Sequence, residues 1–237
     1  LNGIKVAMIG GSQLYNGYFD PGPGKGCSFY IREAEQVIEV AAAAREAGAE
    51  IVVTSIHWGL EYKVTPEQST VDLAHKLLDG GVDVILGHHP HVLQPIEVYE
   101  AADGRMTLVA YSLGNFISAQ GLQYRYGIHN PHVGNTRDGA ILRFKGVRKD
   151  YGDAGQRVEL ASVQADPIWM TYRGRGSTEL PNYGPVVNRL EINRLQAEIL
   201  QEEDDARRIA LQRELEMLSF RRTHAGSILG EDWLVPL

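Results

Sequence analysis

The chain has 237 residues, 43% of them hydrophobic and 22% charged, an ordinary make-up for a soluble globular domain with room for an extension. Its net charge of -7 argues against a nucleic-acid footprint, and its single cysteine, Cys27, excludes an intrachain disulfide and a thiolate metal cluster. No run approaches the roughly 18 to 20 apolar residues of a membrane span, and no secretory leader pattern is present. The chain opens at Leu1 and goes at once into a strand, Ile4 to Ile9, as a fragment or a processed product would.

Gly10 to Ser28 is rich in Gly, Pro, Tyr and Asn and is expected to be loop. A helix is expected from about Tyr30 to Ala47, capped by Ser28, with Ile31, Ala34, Val37, Ile38 and Ala41 on its apolar face and Gly48 as its stop. The strand Ile51–Ile56 then runs into His57–Trp58–Gly59–Leu60–Glu61–Tyr62. Thr65–Pro66–Glu67–Gln68 spells a helix start, with Thr65 as cap and Gln68 closing a capping box. Val71, Ala74, Leu77 and Leu78 face inward, and Gly80–Gly81 ends the helix. The strand Val82–Leu86 leads into Gly87–His88–His89–Pro90–His91.

This β-α-β-α-β order predicts a parallel sheet with right-handed crossovers. Strands are expected next at Thr107–Tyr111, Ala140–Phe144 and Val158–Ala165, without long helices between them, so this half should be antiparallel or mixed. Ser118 to Asp138 reads as a long loop over the same rim. Val186 to about Arg222 alternates acidic and basic runs with spaced leucines, which predicts a long amphipathic helix or helical hairpin, packed or bridging subunits.

Loops leaving the carboxyl ends of neighbouring strands share one rim, where ligands bind in α/β sheets. Two of these loops bring histidines, and imidazole is the commonest metal-ligating side chain. His89 and His91 are two residues apart and point to one side if the backbone is extended, a conformation that Pro90 favours. Glu61 is a ligand, a base, a partner to an imidazole, or a surface carboxylate. Tyr111–Ser112–Leu113–Gly114–Asn115–Phe116 ends another strand; Asn115 is a neutral ligand, a substrate-orienting amide or a turn residue, and Asn115 and Tyr111 are the candidate substrate contacts. His129 and His132 are expected to cap their loop rather than enter the pocket. The Asp20–Gly26 segment lacks phosphate-loop spacing, Gly10–Gly11–Ser12 lacks the dinucleotide pattern, and no nucleophile elbow occurs.

His57–Trp58–Gly59 with Glu61–Tyr62, Gly87–His88–His89–Pro90–His91 with Gln94–Pro95, and Tyr111–Phe116, in this order and spacing, resemble the bacterial CapA family of poly-γ-glutamate capsule biosynthesis proteins. The likeness covers roughly Gly3 to Ala165. It implies a branch of the calcineurin-like metallophosphoesterases, a layered α/β sandwich with mixed sheets and a two-metal site at the strand ends. It makes His57, His89 and His91 metal ligands and His88 or Glu61 the proton-handling groups. The cofactor implied is a pair of divalent ions, Mn, Fe or Zn. The aspartates and Asn-His segment that supply that superfamily's earlier ligands have no counterpart in these residues, so residues 1–165 resemble the C-terminal part of the domain, with 166–237 a linker and helical extension. The function implied is capsule or poly-γ-glutamate synthesis or export, with phosphoester hydrolysis; the alternative is a non-catalytic subunit that binds the polymer or a synthase through a degenerate metal site. Implied partners are an anionic polymer or phosphoester substrate, capsule synthase membrane proteins, the N-terminal half of the domain, and a second copy through the C-terminal helix. The implied location is the extracytoplasmic, membrane-associated cell surface.

Overall fold

A computed structural model describes residues 3–14, 29–173 and 182–237. In chain order the elements are β1 (Val6–Ser12), β2 (Phe29–Tyr30), α1 (Ala34–Glu46), β3 (Ile51–His57), α2 (Gln68–Asp79), β4 (Val84–His88), β5 (Ile96–Glu100), β6 (Met106–Ala110), β7 (Asp138–Asp150), β8 (Gln156–Arg173), β9 (Asn182–Val187), α3 (Asn188–Gln201) and α4 (Asp205–Leu229). Short 3-10 turns lie at Pro131–Arg137, Gly152–Ala154 and Glu231–Trp233. The architecture is mixed α/β. No helix among the described residues is long and apolar enough to cross a membrane.

The chain forms two compact units, one of residues 1–90, 94–112 and 143–163, the other of residues 91–93, 113–142 and 164–237. The first is built on a six-stranded sheet in the order β2-β1-β3-β4-β6-β5. Neighbours are parallel except β5, which runs antiparallel to β6 at the edge. β1, β3 and β4 are joined through α1 and α2, as the β-α-β-α-β pattern requires. The β-branched run of β3 suits a strand that must bury itself, and Ile51, Val52, Val53 and Thr54 are all buried. Val37 and Ala41 of α1 and Ala74, Leu77 and Leu78 of α2 share one apolar core with Val52, Ile56 and Ile85. At the amino-terminal end of the strands the buried Asp83 carboxylate accepts from the Val52 amide at 2.7 Å and from Arg105 at 2.8 Å, and also pairs with Arg45.

Several boundaries differ from those the sequence predicts. Tyr30 is in β2, paired with Ser12, so α1 starts at Ala34 and not at Tyr30. Glu33 is its cap, in a capping box closed by Gln36. Ser28 lies outside the described residues. α2 begins at Gln68, three residues after the expected cap Thr65; the Gln68 amide donates along the helix to Asp72 at 2.8 Å and closes no box. The segment before it is held elsewhere, because Gln94 Nε2 donates to the Lys63 carbonyl at 2.8 Å. β4 starts two residues later than expected and extends through His88. β5 was not expected: its alternation in Ile96–Glu100 spans only five residues and shows as a strand through pairing with β6. β7 and β8 run well beyond the short strands expected at 140–144 and 158–165.

In the second unit β9 pairs antiparallel with the last part of β8. The C-terminal stretch is a helical hairpin: α3 ends at Gln201, and Asp204 caps α4 by accepting from the Arg207 amide at 2.7 Å. Ile192 and Leu195 of α3 and Leu218 of α4 pack with Tyr124 and Trp169 into a second core.

Candidate metal centre

β3 and β4 end level, with Ser12 paired to His57 and His57 paired to His88 across three parallel strands. A row of side chains therefore leaves the sheet at one height. The two loops that follow are bonded together: the Trp58 amide donates to the His88 carbonyl at 3.0 Å and the Tyr62 amide to the Pro90 carbonyl at 2.8 Å. Trp58 is fully buried and its Nε1 donates to the Tyr111 carbonyl at 2.9 Å. That crossing passes over Gly87, where a Cβ would sit 1.9 Å from the same carbonyl oxygen, so only glycine fits.

This clamp brings His57, Glu61, His88 and His89 to one end of the sheet. The His57 and His89 rings are 4.5 Å apart at 50°. A Glu61 carboxylate oxygen and a His89 ring nitrogen lie within 4.8 Å of one another, a spacing that one cation can bridge. His89 is buried and Glu61 exposed. His88 is half-buried, and burial pulls its imidazole below the usual histidine range.

The backbone around these donors is unusual. The left-handed non-glycine residues among those described are Tyr62, His89 and His91, with φ of 63°, 100° and 58°. Tyr62 ends the first motif and both histidines belong to the second. The extended backbone expected around Pro90 is thus corrected: the loop turns at both flanking histidines. Left-handed bulky residues cost on the order of 1–3 kcal/mol each and persist where surrounding contacts hold them.

In the second unit His91 is held by Asn115. The His91 Nδ1 is 2.9 Å from Asn115 Oδ1, while Asn115 Nδ2 faces the Thr136 carbonyl at 2.8 Å, Gln120 Oε1 at 3.0 Å and the His91 carbonyl at 3.3 Å. Because the amide nitrogen is surrounded by acceptors, Oδ1 must face the ring, and Nδ1 carries the hydrogen. The lone pair is then on Nε2, the state in which imidazole ligates metal. Gly114, at φ 67°, and Gly139 allow the two backbones behind Asn115 to touch; a Cβ on Gly139 would lie 2.2 Å from the Asn115 carbonyl oxygen.

Other expected residues fall elsewhere. Tyr111 is buried in the first core and its hydroxyl donates to Glu97 at 2.6 Å; burial, and then Glu97, push its pKa up. Asn115 spends its amide on His91, Gln120 and loop carbonyls. His129 accepts from the Arg125 amide at 2.9 Å and so closes its own turn. The His132 ring lies 6.0 Å from that of His224. Sequence reasoning missed Gln120 and Thr136 as anchors of Asn115, since neither has a spacing that links it to the histidines. It also missed Arg221, which is fully buried and paired with Asp138, with Nη1 on the Pro131 carbonyl at 2.9 Å and Nη2 on Asn135 at 3.2 Å.

Residues 2–120 match the family model described as bacterial capsule synthesis protein PGA_cap, and all three motifs lie inside that span. The chain is 43% identical over 96 residues to the PGA biosynthesis protein CapA of Bacillus subtilis (strain 168), covering 40% of this chain and 21% of that one. It is 42% identical over 107 residues to the capsule biosynthesis protein CapA of Bacillus anthracis, covering 45% and 22% respectively. A probable polyglutamine synthesis accessory protein of Mycobacterium tuberculosis is 31% identical over 68 residues, 29% of this chain and 18% of that one. The chain spans about a fifth of the length of the curated relatives it matches.

Proposed function

The chain belongs to the bacterial capsule synthesis protein family PGA_cap, and from that premise we propose that it works in the synthesis or export of an anionic glutamate polymer as part of a metal-dependent phosphoesterase. The proposed ligands are His57, His89 and His91, and Glu61 is the carboxylate beside His89. The observation that carries the reading is the Glu61–His89 pair, a carboxylate and an imidazole with donor atoms within 4.8 Å. Mixed oxygen and nitrogen donors suit Mn, Fe or Zn. A divalent ion held there would supply Lewis acidity toward a phosphoryl oxygen. The chain's own contribution is positional: Asn115 fixes the His91 ring, the Trp58–Tyr111 crossing fixes the loop of His89, and His88, in register with His57, is the group for proton transfer. The layered metallophosphoesterase sandwich, the capsule synthase partners and the cell-surface location belong to the same proposal.

A second reading makes the protein a non-catalytic subunit that holds the polymer or a synthase. The Mycobacterium tuberculosis relative, a probable polyglutamine synthesis accessory protein by name, favours it. Metal content of the chain purified without chelator, measured by mass spectrometry, tests the first reading. Near-stoichiometric Mn, Fe or Zn, lost in His89→Ala and His91→Ala, is the expected result. An aryl phosphate assay then separates the two readings: chelator-sensitive turnover supports the enzyme, and metal without turnover supports the subunit. A wild-type chain that takes up no divalent ion overturns the metal centre.

A further inference from the structure

The second unit has two open clefts, about 690 and 760 Å³, that share Arg137 and Tyr172 in their linings and so adjoin one another. Arg213 and Tyr126 line the first and Arg125 the second. Glu214 is the single carboxylate among the described lining residues, against three guanidiniums, on a chain whose net charge is -7. A concentration of cations opposed to the overall charge is a local feature that needs a local reason.

Arg137 is the centre of it. Its guanidinium lies 4.2 Å from the Trp169 ring centroid, and Nε and Nη2 both donate to the Met170 carbonyl, at 2.9 and 2.6 Å. These contacts fix the fork and use one edge of it. The nearest acid in sequence, Asp138, is paired to Arg221. Burial, with Arg125 and Arg221 adding to it, lowers the Arg137 pKa to about 10 although Asp138 pulls the other way. A half-buried guanidinium in such surroundings favours an added anion.

We propose that these adjoining clefts bind a carboxylate-bearing oligomer, with Arg125, Arg137 and Arg213 as its anchoring cations and Tyr126 and Tyr172 as its floor. Planar guanidiniums match carboxylates in paired hydrogen bonds, and aromatic faces accept the methylene segments between successive acidic groups. The argument rests on the capsule reading for the kind of polymer and is independent of the metal centre. It uses residues 121–237, which lie beyond the span of the family match.

The test is calorimetric titration of the full chain, with chelator present, using short glutamate oligomers, free glutamate and inorganic phosphate as probes. Arg125 and Arg213 are exposed, and Arg125 Nη1 donates to the Leu122 and Tyr124 carbonyls at 3.0 Å, so Arg125→Gln with Arg213→Gln should keep a cooperative transition with a melting temperature lowered by a few degrees at most. The expected result is saturable, salt-sensitive oligomer binding that weakens at least tenfold in this double variant, persists in His89→Ala, and exceeds that of either small anion. Arg137→Lys, which keeps the charge and loses the fork, should weaken it severalfold. Binding unchanged in the double variant, or lost in His89→Ala instead, overturns the cleft and leaves the capsule reading in place. Phosphate binding as tight as the oligomer's, or no saturable oligomer binding by the folded chain, overturns it as well.

Discussion

At the scale of single residues, position counts for more than identity. Gly87 is the clearest case: an added methyl would meet the Tyr111 carbonyl at 1.9 Å and Trp58 Nε1 at 2.6 Å. Gly87→Ala should therefore cost roughly 3 kcal/mol or more by forcing apart packed backbone, measurable as a lowered urea midpoint. In the proposed metal centre Asn115 acts through His91. Asn115→Leu should weaken divalent metal binding about 10- to 100-fold in a competition titration, as the loss of a ligand-orienting partner does. The histidines themselves were legible, since imidazoles so crowded after a strand are hard to attribute to packing. The roles of Asn115 and Tyr111 were not. Asn115 meets a histidine 24 residues away, and Tyr111 turns to a glutamate on β5, a strand whose presence the sequence did not announce.

Among the elements, α4 shows how a polar helix is held. Arg221 is fully buried on it and pairs with Asp138, whose carboxyl burial pushes upward against the pull of Arg221. Arg221→Met should cost about 3–5 kcal/mol, because it strands a buried carboxylate, and Arg221→Met with Asp138→Leu should recover much of that loss in chemical unfolding. One turn on, His224 contacts Asn135 Oδ1 at 2.9 Å, and burial, then Arg221 and His132, lower its pKa from 6.5 to about 4. The folded chain thus prefers the neutral ring, while the unfolded chain takes up a proton below pH 6.5. Stability is complete above that value and falls as the pH drops toward 4, by about 1–2 kcal/mol once the water-facing part of the ring is allowed for. Unfolding titrations across pH 7 to 4 should show this slope, flattened in His224→Gln. The element pattern was readable where an apolar run or a helical period stands out, as in α1, β3, β4 and the C-terminal hairpin. Boundaries slipped where tertiary bonds overrode local signals, as Gln94 does at Lys63 before α2.

For the whole molecule, the two units are not successive pieces of chain. Residues 91–93, 113–142 and 164–237 make the second unit, and the contacts that secure α4 come from Pro131, Asn135 and Asp138. A fragment of residues 166–237 should accordingly show no cooperative thermal transition by circular dichroism, whereas the full chain should.

The Arg221–Asp138 pair spans 83 residues of sequence. At translation rates of about 5–20 residues per second, Asp138 waits several seconds after synthesis for its counter-charge. The second unit can close only when the last helix has left the ribosome, so the growing chain carries an acidic group meant for a core that does not yet exist. A nascent chain stalled before Arg221 should stay protease-sensitive through residues 113–142, while the sheet of the first unit resists.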